Sequence, residues 1–383
     1  MMLERANVGE APHAMAEDPK AWRVTVGTPF SRVAAIVASI VVVALIILPA
    51  VASRAVIQDL IFVFTMLALA QIWNVLAGWG GLVTVGQQAF VGLGSYALFA
   101  GTVLAELDPL LAIPLAGLFA GLVAAVIGPL LFRLEGPYFA IGTWVAAEVC
   151  RLLCAQFKPL GGGTGMSLPN AVTADMFGLK AVGALLALRP AAARDVITYW
   201  AALALAVAIV VAACVFARSR LGLALAASRD SLAASRSIGI AVHRIRYGLW
   251  IVCGCATGLA GAIIYLQKAR ISPDAAFSVV DWTAYVLFVA VIGGVRTIEG
   301  PIIGVLLLWA LQHYLAQFGS LYLLILGVLA ITIMMFLPNG LWGAVSARTG
   351  LQLFPLRRNL HRVPSSRLAP DGRVAEMEPG HEP

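Results

Sequence analysis

Apolar runs long enough to cross a bilayer recur along most of the chain, and they limit its fold more than any other feature. About 20 apolar residues cross a bilayer as a helix. Ten runs reach or approach that length: 33–52, 56–76, 83–104, 110–132, 138–157, 199–217, 247–266, 282–293, 301–315 and 321–337. In hydrocarbon every backbone donor and acceptor must be satisfied within the protein, so only helices and closed barrels span it. Runs of this length select helices. The expected fold is all-α, a polytopic transmembrane bundle of about ten spans that includes broken or re-entrant elements. The run 282–293 is too short to cross comfortably and ends in Gly293 and Gly294, so a re-entrant or broken element is expected there. Composition agrees, because 61% of the 383 residues are hydrophobic and only 12% charged, whereas soluble domains run near half and a quarter.

Basic residues orient the runs, since cytoplasmic loops carry an excess of Lys and Arg. With the N-terminus inside, the inner segments hold Arg5, Lys20, Arg23, Arg32, Arg133, Arg296 and a tail with Arg348, Arg357, Arg358, Arg362, Arg367 and Arg373. The outer segments hold fewer: Arg54, Lys158, Lys180, Arg189, Arg194, Lys268 and Arg270. Both termini are therefore expected in the cytoplasm. Residues 1–30 and 348–383 are polar, mixed in charge and, in the tail, proline-rich; disorder is expected in both. The stretch before Ser31 offers no evident cleavage site, so a cleavable signal is not expected. Residues 31–347 form the membrane domain, with an outer loop at 158–195 and an inner one at 218–246. The net charge of +7 favours membrane lipids over nucleic acid, because the basic residues cluster beside spans.

The inner loop is more than a connector. Residues 219–246 carry Arg220, Arg229, Arg236, Arg244 and Arg246 among small residues and leucines, then Gly239. A short helix built to meet a cytoplasmic partner is expected. Chemistry of the chain's own is not. Cys150, Cys154, Cys214, Cys253 and Cys255 all lie in apolar runs and the histidines are scattered, so no metal, cofactor or catalytic cluster is expected. Gly161 to Gly165 lacks the Lys-Ser/Thr ending of a phosphate loop. Any use of ATP needs another subunit.

Two features stay open at this level. Gly78, Gly80, Gly81, Gly86, Gly92 and Gly94 crowd the second and third runs together with Gln71, Asn74, Gln87 and Gln88. Glycines allow close helix packing, but broken helices are also where transporters place solute sites. Glu148 and Arg151, three apart, can pair on one helix face. That pair is either a satisfied ion pair near a helix end or a functional intramembrane charge. An ion-coupled transporter would need such a group at midplane, and an intramembrane enzyme would need paired catalytic groups, which the chain does not present.

A family pattern then emerges. The segment Gly81-Leu-Val-Thr-Val-Gly-Gln-Gln-Ala-Phe90, the block Gly136 to Ile141, the stretch Arg229 to Ile240, Ile271 to Asp274, Gly293 to Pro301 and Pro338 to Gly343 occur in an order and spacing that resemble the permease subunit, M type, of branched-chain amino-acid ABC transporters. The resemblance covers roughly 56–343. It implies a transport subunit without enzymatic activity, moving branched-chain or related amino acids by alternating access; urea, amides and other small polar solutes are the alternative cargo. It implies ABC ATPase subunits, a second related permease and a periplasmic or lipid-anchored substrate-binding protein as partners. Thr84, Gln87, Gln88, Tyr138, Phe139 and Thr164 are the candidate residues of the solute path. Arg229, Asp230, Ala233, Ala234 and Gly239 are the candidates for ATPase coupling. Leu232 and Arg236 stand where the family carries acidic residues, leaving Asp230.

Overall fold

The apolar runs fold as side-by-side helices in a computed structural model that describes residues 22–25, 29–169, 172, 176–230, 235, 239–349, 354 and 359–362. A strand, β1 (Trp22–Thr25), precedes α1 (Pro29–Ile47) and α2 (Arg54–Asn74). Then come α3 (Gln87–Val103), α4 (Pro109–Leu131) and α5 (Pro137–Gln156). The next connection carries β2 (Met166–Ser167) and α6 (Leu179–Leu186). The helices α7 (Pro190–Arg218), α8 (Arg220–Asp230) and α9 (Val242–Lys268) follow. The rest is β3 (Arg270–Ile271), α10 (Pro273–Ala276), α11 (Tyr285–Gly293), α12 (Glu299–Leu315), α13 (Ser320–Phe336), α14 (Gly340–Thr349) and β4 (Asn359–Arg362).

Among the described residues, eight helical segments are long and apolar enough to cross a membrane, against the ten expected. The difference lies in α3 and α12, each of 17 residues, about 26 Å at 1.5 Å per residue. The third run starts its helix at Gln87 rather than Val83, because 80–86 is not helical. The eighth run is not short. Pro273–Gly293 forms a 21-residue interrupted segment, because α10 and a π turn at Val280–Ala284 extend α11. The flanks of the arginine loop are also helical further than expected: α9 starts at Val242 and takes in Arg244 and Arg246. The chain ends, expected without a packed element, contribute one: β1 pairs antiparallel with β4, Trp22 opposite Arg362.

Small residues bring α3, α4 and α9 together. A Cβ at Gly94 would lie 2.1 Å from the Gly258 carbonyl oxygen, and one at Gly261 2.2 Å from that of Val91. Gly258 in turn meets Ala120, and Gly117 meets Leu259. In lipid, contact area gained by close approach drives association. On the other flank α7 packs on α2, where Phe64 meets Tyr199 and the Tyr199 hydroxyl donates to the Leu45 carbonyl at 2.7 Å. One helix stands apart. Helix α5 buries only Phe139, Thr143, Ala147 and Cys150, and an apolar groove of about 1070 Å³ separates it from α3 and α4.

Cross-contacts between the connections obey the alternation expected from charge. At the end read as outer, Phe177 N–H donates to Asp108 and Arg54 pairs with Asp195. There too β2 pairs with β3. At the other end Asn74 bonds Thr297, and Gly340 packs on Gly294.

Candidate functional site

Helix α2 does not end in an ordinary turn. A π turn at Val75–Trp79 follows it, which places one extra residue in the helical ladder. Residues 80–86 then run without helix to α3. Glycine is required twice here. Gly81 has φ +68°, and a Cβ on Gly86 would lie 2.1 Å from the Thr143 carbonyl oxygen of α5. Leu82, Thr84 and Gly86 are buried while Gly81 and Val83 are exposed, the alternation of extended chain. The Trp73 indole N–H donates to the Thr84 carbonyl at 2.9 Å, and Val85 N–H donates to the Thr143 hydroxyl at 3.2 Å.

This segment delivers three of the expected path residues to one buried place. Thr84, Gln87 and Gln88 are all buried. The Gln87 amide N–H₂ donates to the Leu69 carbonyl at 3.2 Å and reaches the Thr257 hydroxyl at 3.5 Å. Gln88 accepts from the Thr283 hydroxyl. The Gln87 side-chain oxygen and both side-chain amide atoms of Gln71 are buried without a protein partner, which is unfavourable by roughly 1–3 kcal/mol for each such group. Beside Gln87 lies a cavity of about 10 Å³, lined by Ile72, Leu76, Thr84, Gln87, Phe90, Trp250, Cys253, Gly254 and Thr257. That is room for about one water. The arrangement is a small, mainly apolar cavity within the bundle, with Thr84, Gln87 and Thr257 as the polar groups on its wall.

The other expected path residues lie elsewhere. Phe139 is buried against Phe132 and Trp250, with ring centroids 5.7 and 5.8 Å apart, so it backs the pocket through the Trp250 ring. Tyr138 is 70% exposed at the first turn of α5. Thr164 is exposed in the connection after α5, donating to the Gly161 carbonyl at 2.9 Å. Thr257 lines the cavity, while Thr143 and Thr283 hydrogen-bond Val85 and Gln88 beside it; none was singled out in the sequence, since hydroxyls in apolar runs give no pattern of their own.

Two contacts tie this site to the end read as inner. The Asn74 side-chain amide donates to the Thr297 carbonyl at 2.7 Å, and its oxygen accepts from Arg296 N–H at 2.8 Å. Asn74 thereby clamps the turn between α11 and α12. Helix α8 seats Leu225 and Ser228 in the bundle. Past it, the first turns of α9 bring Arg246 and Leu249 within 3.3 and 3.1 Å of where Cβ atoms on Gly81 and Gly80 would stand. Of the coupling candidates, Arg229 and Asp230 close α8. Ala233 and Ala234 lie outside the described residues. Gly239 adopts φ +81°.

At the opposite end, Arg151 holds two carboxylates. Its guanidinium donates to Glu148 at 2.6, 2.9 and 3.0 Å and to Asp274 at 2.6 Å. On α7, Asp195 is buried and paired with Arg54 at 2.6 Å and with Gln58 at 3.1 Å. No cluster of three metal-ligating side chains occurs among the described residues.

Apolar helices of membrane length around buried, incompletely bonded amides, with a broken helix beside them, define a multi-pass membrane protein. The chain belongs to the family of permease components of branched-chain amino acid transport systems, whose family model matches residues 56–336. It is 26% identical over 279 residues to the high-affinity branched-chain amino acid transport system permease protein LivM of Escherichia coli (strain K12), covering 70% of this chain and 65% of that protein. The LivM protein of Salmonella typhimurium is 26% identical over 287 residues, with the same coverage. A probable branched-chain amino acid transport permease protein LivH of Methanocaldococcus jannaschii is 25% identical over 135 residues, 33% of this chain and 42% of that one. The chain thus spans about two thirds of the length of the LivM relatives it matches.

Proposed function

We propose that this chain is the membrane-spanning subunit of an ATP-driven importer that carries branched-chain or related amino acids across a bacterial inner membrane by alternating access, with both termini cytoplasmic. ATPase subunits dock on the inner loop around α8 and residues 229–239. A second related permease completes the membrane unit, and a periplasmic or lipid-anchored binding protein delivers the solute. The observation that carries this reading, beyond family membership, is the contact of Arg246 and Leu249 with Gly81 and Gly80. A displacement of the inner loop by ATPase closure reaches the segment holding Thr84 and Gln87 through one turn of α9, a rigid-body form of switching. The pairing of β1 with β4 supports termini that share one side. Thr84, Gln87 and Gln88 line the inner part of the solute route. The Thr84 hydroxyl and the two glutamine amides exchange hydrogen bonds with a polar solute without a buried net charge.

Two measurements test this. Gln87→Leu removes an amide from the pocket and lowers leucine uptake by roughly tenfold, the effect of about 1.4 kcal/mol, while the subunit still co-purifies with its ATPase. Normal uptake by this variant leaves Gln87 a packing residue. Gly239→Trp forces a bulky side chain into φ +81° within the coupling segment, so ATP hydrolysis continues while uptake falls to background. Wild-type uptake by Gly239→Trp removes this turn from the coupling route.

A further inference from the structure

We propose that Glu148 and Arg151 of α5 and Asp274 of α10 form a water-facing ionic station that receives the ammonium and carboxylate of a zwitterionic amino acid. This deepens the importer reading and rests on it. Glu148 lies eight residues before Gln156, so it sits about 12 Å below that end of α5 at 1.5 Å per residue. Its side chain is 47% exposed, that of Arg151 27% and that of Asp274 83%. Charged groups at such depth avoid hydrocarbon and face a water-filled cavity, the bundle interior or a partner. These do not face the bundle interior.

The rest of the helix agrees. Tyr138, Ile141, Trp144, Glu148 and Leu152 recur at helical spacing and are all exposed. They form a stripe that is aromatic and apolar at one end and ionic at the other. The opposite edge of α5 is seated against residues 85 and 86, the segment that carries Thr84. A solute moving along the stripe therefore passes from the ionic station to the far side of the pocket wall.

The charges select the solute. Two carboxylates and one guanidinium sum to one net negative charge. Arg151 already satisfies both carboxylates, yet Asp274 presents most of its surface to solvent. An arriving ammonium binds Asp274 and Glu148, and the solute's carboxylate takes donors of the guanidinium that Asp274 releases. Exchange of like hydrogen bonds leaves no buried charge unpaired at any step, which keeps passage reversible.

The test uses the assembled importer with the chain's five cysteines replaced by serine. Trp144→Cys on the stripe and Val126→Cys on the exposed face of α4 are treated with a membrane-impermeant cationic methanethiosulfonate. The expected result is labelling at 144, slowed by leucine, and none at 126. Equal labelling at both positions, or none at 144, overturns the water-facing stripe. Labelling at 144 only when the second permease is left out assigns the stripe to a subunit seam and also overturns it. In the second arm, Glu148→Gln with Asp274→Asn raises the leucine concentration for half-maximal uptake by about tenfold or more and narrows the preference for leucine over its 2-oxo acid, which lacks the ammonium. The variant still assembles with its partner subunits. An unchanged preference overturns the ammonium assignment. If the wild-type assembly takes up no amino acid at all, the importer reading fails, whereas labelling at 144 without protection by leucine leaves that reading intact and removes the site.

Discussion

Gly94→Val is expected to remove the folded subunit from the membrane. The new Cβ falls 2.1 Å from the Gly258 carbonyl oxygen and 2.6 Å from its Cα. Both atoms belong to the backbone of α9, so no side chain can rotate aside. Relief requires α3 and α9 to separate, and the neighbouring approach of Gly261 to Val91 then opens as well. Overpacking in a well-packed core costs about 1–3 kcal/mol, and here the shift spreads along two helices. Since small-residue contact is a main source of helix association in lipid, the loss is large relative to what remains. Thermal unfolding of the detergent-solubilised subunit, followed by size-exclusion chromatography, measures it. Gly101→Ala on the same helix is the control, because its Cβ would meet Ala112 at an ordinary 3.4 Å. Equal stability of Gly94→Val and Gly101→Ala would show that α3 and α9 are not in close contact.

The second large effect is expected at Asn74, where folding and transport separate. Asn74→Leu keeps the size of the side chain but leaves the Thr297 carbonyl and Arg296 N–H without their partner. Buried groups left unpaired in this way cost roughly 1–3 kcal/mol each, less where the turn relaxes toward water. The subunit therefore reaches the membrane, while the turn between α11 and α12 is released. Uptake is expected to fall to near background, with faster proteolytic cleavage at Arg296 from the inner side. Asn74→Asp retains the acceptor for Arg296 N–H but loses the donor to Thr297, so it falls between wild type and leucine. Full uptake with unchanged cleavage in Asn74→Leu would mean that the clamp has no part in transport.

The sequence disclosed the architecture where physics is local. Runs of about 20 apolar residues located the helices, and arginine counts ordered their ends in a way the cross-contacts share. It disclosed less where a long-range contact decides. Val83 reads as the start of a span by composition alone. The helix waits until Gln87 because Gly86 must lie flat against Thr143, 57 residues later. The segment 282–293 looked short because the π turn and α10 before it are not an apolar run. Amides among glycines did mark a place of buried side-chain hydrogen bonding, since Gln87 and Gln88 are rare groups in an apolar setting. Their partners Thr257 and Thr283 were invisible, because a threonine in a span is equally at home bonding its own helix backbone, as Thr65 and Thr102 do. Tyr138 and Thr164, expected along the solute path, lie apart from the cavity at Gln87, since order along a chain does not place residues at the same depth. Asp195 joins Arg54 across 141 positions, a pairing that neither neighbourhood announces.

The two π turns serve neighbouring residues of one helix: Val75–Trp79 leads into the segment before Gln87, and Val280–Ala284 carries Thr283, the donor to Gln88. A π turn is an α turn with one residue too many. Letting that residue slip out advances the following chain by one register step, about 100° of rotation and 1.5 Å of travel. Such a step at either turn would carry the hydroxyl or amide beside α3 to a new register without unfolding a helix, so each spare residue is a place where the bundle can change its hydrogen bonds at little cost.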